Sequence, residues 1–304
     1  VSIGITVFPN DGHNVQVLLQ HADVAMYHAK QVGRNNYQFF SESMNNYLKL
    51  RMEMEHDLRI ALQEEQFELY YQPQYHARSE KIVGFEALLR WRHPVKGLLT
   101  PDNFIEIAEA TGLILPIGDW VLMQACQQVC QWQQDLGCAY RVAINLSALQ
   151  FNQNYLPERV RQTLEQSRLP AETLELEITE TAMLHDVAET IPLLFALKKT
   201  GVRLAIDDFG TGYSSMSYLK NFPIDTLKID RSFVEEIVFN RKDAAIAQTI
   251  IQLANNLNLS TIAEGVETEA QAEMLLKMGC EEFQGFYFNK PMSVEDLSNL
   301  LSQS

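Results

Sequence analysis

None of the four cysteines forms a C-x-x-C pair, and no histidine stands at metal-ligand spacing from them, so zinc ribbons and dithiol redox centres are excluded. Cys126 and Cys130 lie one helical turn apart in an apolar pattern and read as reduced core residues of a cytoplasmic compartment. No apolar stretch approaches the roughly 18 residues that cross a bilayer. Positive charge is scarce: 24 Lys and Arg face 39 Asp and Glu, a formal charge of −15. Binding to polymeric nucleic acid is driven by cationic side chains that displace counterions, so that class of partner is excluded. A small anionic ligand needs local cations to overcome the background field, and metal ions are the expected source. Gly210 and Gly212 are not followed by Lys-Ser/Thr at P-loop spacing. The dipeptides His56-Asp57 and His185-Asp186 lack further histidines at ligand spacing, which argues against an HD-type phosphohydrolase centre.

What is present is ample apolar material: 46% hydrophobic and 10% aromatic residues indicate a globular chain with a sizeable core. Residues 1–40 read as strand, helix, strand, with Val15, Leu18, Leu19, Ala22, Ala25, Met26 and Ala29 at helical spacing and Gly33 as a cap. That unit cannot bury a core alone, and the chain opens at Val1 on a strand, so the expectation is the later part of a longer protein. An upstream membrane anchor is among the arrangements this allows. Residues 41–65 read as an amphipathic linker helix with Tyr47, Leu50, Met54, Leu58, Ala61 and Leu62 on its apolar side.

From residue 66 to 304 the pattern changes to eight short apolar runs, most followed by a helical segment: FELYYQPQ, KIVGFEALLRW, YRVAINLS, TLELEITE, VRLAIDDF, DTLKID, STIAEGVE and EEFQGFYF. Eight such alternations predict an α/β fold, a (β/α)8 TIM-like barrel, in preference to a doubly wound sheet. In such barrels the chemistry sits at the C-terminal ends of the strands. Those ends supply Gln72, Glu86, Asn145, Glu177, Asp207 with Asp208, Lys228 with Asp230, Glu264 and Gln284. Any one of these could be a helix cap or a surface carboxylate; the whole set at one mouth is a site.

Five or more carboxylates collected at one mouth repel each other by several kcal/mol and require cations. Glu86, Asn145, Glu177 and Asp207 offer hard oxygen donors suited to Mg²⁺ or Mn²⁺ and unsuited to zinc. Asp208 could hold a second ion with Asp207 as the bridge, provided the strand breaks there, because neighbours in a regular strand face opposite sides. Two such ions are the usual device for in-line attack on a phosphodiester. A glycosidase also uses carboxylates at a barrel mouth, but it has no need of Lys228 and Asn145 among four or five acids.

Two resemblances sharpen this reading. SIGIT, ADVAMYHAK and GRNNYQFF resemble the C-terminal end of a GGDEF domain, the diguanylate cyclase family, without its glycine-rich signature. Residues 1–40 are therefore expected to lack cyclase activity, and a cyclase-like and a sensor domain are expected upstream. EALLRW, NLS, EITE, DDFGTGYSS, KID, AEGVE and QG stand in the order and spacing of an EAL domain, the family of cyclic di-GMP phosphodiesterases. The resemblance implies hydrolysis of 3′,5′-cyclic diguanylate to linear pGpG by water activated between two metal ions. It implies Glu86, Asn145, Glu177 and Asp207 as metal ligands, Asp208 as a ligand of the second ion, and Lys228 as the residue orienting the attacking water. Glu264 matches the proposed general base or, alternatively, a second-metal ligand. Gln72, Arg90, Asp230 and Gln284 match substrate-side or supporting residues, and Glu180 matches the glutamate that anchors the loop after Asp208. Dimerisation through the barrel is a further implication. Gln74 and Asn289 depart from the family pattern and are expected to bear only on ligand affinity. The competing reading is a catalytically silent cyclic di-GMP receptor.

Overall fold

The computed structural model describes residues 1–184, 186–212 and 216–302; His185 and the Tyr213, Ser214 and Ser215 end of the DDFGTGYSS motif lie outside the described residues. Ile3–Ile5 (β1) and Tyr37–Phe39 (β2) pair in parallel, and the helix Val15–Gln31 covers one side of them. Gly4 permits that approach: a β-carbon there would lie 1.9 Å from the Ala22 carbonyl oxygen. Ala25 and Ala29 are fully buried in the same seam. The other side of the two-stranded sheet leaves Ile3, Tyr37 and Phe39 exposed.

The helix Glu42–Gln63 then carries the chain to the barrel, burying Leu58 and Ala61 against it. Its Asp57 receives His93 at 3.1 Å, a polar tie between linker and barrel.

Nine strands follow: Phe67–His76 (β3), Ile82–His93 (β4), Gly97–Leu99 (β5), Arg141–Leu146 (β6), Leu174–Thr179 (β7), Arg203–Phe209 (β8), Thr226–Ile229 (β9), Ser260–Ala263 (β10) and Glu282–Phe283 (β11). Eight of them close into the expected barrel in the order β3, β4, β6, β7, β8, β9, β10, β11, and β11 returns to β3; β5 only extends the free end of β4. One strand is reversed: β3 runs antiparallel to both its neighbours, β4 and β11, while the rest of the ring is parallel. The reason lies in the connection. Residues 77–81 are too few for a crossover between parallel strands but suffice for a hairpin.

Alternation along the strands sorts the side chains. In β7, Leu174, Leu176 and Ile178 are fully buried in the apolar core, while Glu175 and Glu177, equally buried, meet the charged partners that β6, β8 and β9 bring to them. The barrel interior thereby acquires two polar layers. In the lower one Glu175 meets Arg203 at 3.1 Å, Arg141 at 3.5 Å and the Thr226 hydroxyl at 2.8 Å, and Arg141 also pairs with Glu282. The upper layer is the candidate site.

Candidate active site

Lys228 is the centre of the upper layer. β9 delivers it into the barrel with 1% of its side chain exposed, and its Nζ lies 2.5 Å from Glu264, 2.7 Å from Glu177 and 3.2 Å from Asp207. Burial opposes its charge, but Asp207, Glu177 and Glu264 outweigh that and hold the ammonium protonated. The same crowding acts on the acids. Burial first, and then Asp207 and Glu86, push the Glu264 carboxyl up to about 8 against the pull of Lys228. Glu177 is driven well above the ordinary carboxylate range by burial and by Glu86, Asp207 and Glu264.

Glu86 is held from two sides, by the Asn145 side-chain amide at 2.6 Å and by that of Gln284 at 2.5 Å. The Gln284 amide also donates to Gln72 at 3.1 Å, and Gln72 in turn donates to the Asn289 carbonyl. With its amide nitrogen spent on Glu86, Asn145 keeps its carbonyl oxygen as a donor to any cation. Gln74 and Asn289 do more than tune affinity at a distance. Gln74 is fully buried, donates to Gln284 at 3.1 Å and accepts from Arg141 at 3.2 Å, so it joins the two polar layers. Asn289 ends the amide chain and also receives the Tyr75 hydroxyl.

The two aspartates at the end of β8 occupy a break in the strand. The β8–β9 register slips between Ile206 and Phe209, and Asp208 takes the left-handed conformation, φ +53°. A bulge of this kind re-aims one side chain without ending the sheet, and aspartate tolerates the conformation better than most residues. Asp207 accepts the Asp208 N–H at 3.0 Å. Burial, then Asp207 and Asp230, raise the Asp208 carboxyl to about 6. Downstream, the Gly210 N–H donates to buried Glu180 at 3.0 Å, which ties the β8 loop to the end of β7.

Gln72, Glu86, Asn145, Asp207, Glu264 and Gln284 line one cleft of about 370 Å³. Arg90, Glu177, Glu180, Asp208, Lys228 and Asp230 do not line it. The Arg90 guanidinium lies 5.4 Å over the Tyr70 ring and donates to the Leu89 carbonyl at 2.8 Å. Asp230 caps the short helix Arg231–Val234 through the Ser232 N–H. The cleft is completed by six residues given no role from sequence: Arg231, Gly265, Glu267, Gly285, Phe286 and Pro291. Arg231 and Phe286 directly follow the KID and QG motifs, and that adjacency was the available signal.

Among the described residues no three His, Cys, Asp or Glu side chains converge as a ready metal cage; the carboxylates are spread around Lys228 instead. The donor set nevertheless fits a hard divalent cation. Both Glu177 carboxylate oxygens are buried without an aligned hydrogen bond, and their contact is the ion pair with Lys228. Buried, unsatisfied oxygens among hard donors are what such a cation would complete.

A closed barrel that gathers acids, a buried lysine and supporting amides at one mouth has the make-up of a catalytic centre. The EAL domain profile matches residues 55–291, and the chain belongs to that family. A profile described as "Diguanylate cyclase, GGDEF domain" matches residues 1–36. Among similar proteins are two from Pseudomonas aeruginosa. The bifunctional diguanylate cyclase/cyclic di-GMP phosphodiesterase MucR is 47% identical over 97% of this chain, and the cyclic di-GMP phosphodiesterase NbdA is 44% identical over 99% of it. The chain spans 43% and 38% of those two proteins, respectively. The solved structure of the PaMucR phosphodiesterase in complex with c-di-GMP superimposes with a TM-score of 0.79 at 46% identity, covering 81% of this chain and 99% of that one.

Proposed function

We propose that this chain is a metal-dependent phosphodiesterase that hydrolyses cyclic di-GMP to linear pGpG. The observation that carries the reading is the buried Lys228 ringed by Glu177, Asp207 and Glu264 beside the amide-braced Glu86, on a chain similar to the PaMucR phosphodiesterase solved in complex with c-di-GMP. Glu86, Asn145, Glu177 and Asp207 are the residues assigned to one Mg²⁺ or Mn²⁺ ion, and Asp208, with Asp207, to a second. Bound there, such ions would lower the pKa of a water and would neutralise charge on phosphate.

The chain's own groups divide the remaining work. Lys228 positions the attacking water and keeps a positive charge at the reaction centre. Glu264, whose proton affinity burial raises, receives the water's proton. Gln284, Gln72 and Asn145 fix Glu86, and Glu180 fixes the loop that carries Asp208. Arg90 and Asp230 act at the margin of the site, on substrate or on the loop.

We further infer the organisation around this centre: residues 1–40 as the end of a GGDEF domain, 41–65 as a linker helix and 66–304 as the phosphodiesterase, in a parent with upstream domains that pairs through its barrel. Among the described residues no helix is long and apolar enough to cross a membrane. The deciding experiment is incubation of the purified chain with cyclic di-GMP and Mg²⁺ or Mn²⁺, with and without chelator, followed by chromatography for pGpG. Product that appears only with the metal supports the reading; nucleotide binding without product sinks it.

A further inference from the structure

We propose that Arg231 is a specificity residue that takes the second phosphate of the substrate, the one not being cleaved, and that Glu267 holds it in waiting. The inference rests on the cyclic dinucleotide reading above. It begins from a charge mismatch: Glu86, Asp207, Glu264 and Glu267 all line the cleft, and among its described lining residues Arg231 is the one Lys or Arg. A cyclic dinucleotide carries two phosphodiesters. When one is placed at the Lys228 centre, the other lies along a wall whose charged groups other than Arg231, among the described residues, are all carboxylates, and it requires a cation there.

The geometry of Arg231 suits that task. Its stem lies across the bare α-carbon of Gly265: a β-carbon at 265 would stand 2.4 Å from Arg231 Cγ and 2.9 Å from its Cβ. Gly265, at φ +68°, is itself part of the cleft wall. The side chain is thus fixed at its base and directed along the rim. Its Nη2 lies 3.1 Å from Glu267 Oε1 in an ion pair, and the two side chains are 53% and 40% exposed. An ion pair so open to water holds weakly, so the guanidinium can leave Glu267 for a phosphate at little cost. A planar fork of donors meets two phosphate oxygens at once, which a lysine cannot reproduce. Glu267 then keeps the rim neutral when no substrate is present and competes mildly with substrate when it is.

The test compares Arg231→Gln, Arg231→Lys and Glu267→Gln with the unaltered chain on two substrates: cyclic di-GMP, with two phosphodiesters, and bis(p-nitrophenyl) phosphate, with one. Arg231→Gln is expected to raise KM for cyclic di-GMP about ten-fold or more with kcat little changed, and to leave kcat/KM for the single diester unaltered. Arg231→Lys should recover only part of the loss. Glu267→Gln should tighten cyclic di-GMP binding by a few-fold. Equal losses on both substrates would assign Arg231 a structural role and overturn the proposal, as would an unchanged KM for cyclic di-GMP in Arg231→Gln. Thermal melts of each variant separate misfolding from loss of contact. If the unaltered chain turns over bis(p-nitrophenyl) phosphate but neither binds nor cleaves cyclic di-GMP, the substrate reading itself fails, and that result is distinct from a null effect at Arg231.

Discussion

Lys228 concentrates the energetics of the site in one side chain. Removing a buried charge costs most when it strands its partners, about 3–5 kcal/mol for a buried pair, and here three carboxylates depend on one ammonium. Lys228→Met should therefore destabilise the chelated protein by about that amount. Added Mn²⁺ should restore more of its melting temperature than the unaltered protein gains, because the same acids then have another cation. Equal Mn²⁺ shifts in both proteins would count against this account. Glu264→Gln separates chemistry from binding: turnover should fall about 10²–10⁴-fold while cyclic di-GMP still binds, and near-normal turnover would refute the base assignment. The thiols test burial directly. Desolvation pushes Cys126 and Cys280 up to about 12, so at pH 8 only about one in 10⁴ is thiolate. Cys138, exposed, should react with maleimide in the folded protein, and Cys126 and Cys280 only after unfolding; early labelling at either would show that the core opens.

At the scale of the element, the bulge in β8 decides whether two neighbouring aspartates can serve one site. Asp208 adopts φ +53°, a conformation glycine takes without penalty. Asp208→Gly should hold stability level or raise it by up to about 1 kcal/mol while metal-stimulated turnover collapses; a clear loss of stability would mean that the Asp208 side chain also supports the fold. How much of this was legible in the sequence follows from which signals are local. The break at Asp207–Asp208 could be argued from the adjacency of two acids at a strand end, and the parallel strands bring Glu86, Asn145, Glu177 and Lys228 together because Asn145 pairs directly with Glu177 while Glu86 and Lys228 stand two residues out of that row, on the same face of the alternation. The reversal of β3 was also written locally, in the short stretch 77–81, but the regular alternation of runs and helices masked it. Gln74 and Asn289 could not be placed at all, since the contacts that join them to Gln284, Gln72 and Tyr75 span more than 200 residues. Arg90 and Asp230 show another limit: motif position brought them beside the site, where Asp230 acts on the Asp208 carboxyl and Arg90 on Glu86, while local bonds to Leu89 and Ser232 also engage them and neither lines the cleft.

For the whole molecule the two stacked polar layers explain why the site can carry so much buried charge. A barrel core is ordinarily filled by branched apolar side chains; here the layer beneath the site is a network of Arg141, Glu175, Arg203 and Glu282, joined to the site by Gln74. Burial alone would raise the Glu175 carboxyl, yet Arg141 and Arg203 hold it below the ordinary range, so this layer stays charged and shape-specific. Its Arg141 also places positive charge beneath Glu177. Arg141→Met tests whether the floor is structural. It strands Glu282 and leaves Glu175 with Arg203 and Thr226 alone, and should cost about 3 kcal/mol in urea unfolding, while the molecules that remain folded keep turnover within a few-fold, since Arg141 is not among the residues lining the cleft. A variant of unchanged stability would mean that the lower network contributes nothing net. A variant of normal stability and lost turnover would mean instead that charge beneath the barrel, acting through Gln74 and Glu177, sets the electrostatics of the mouth.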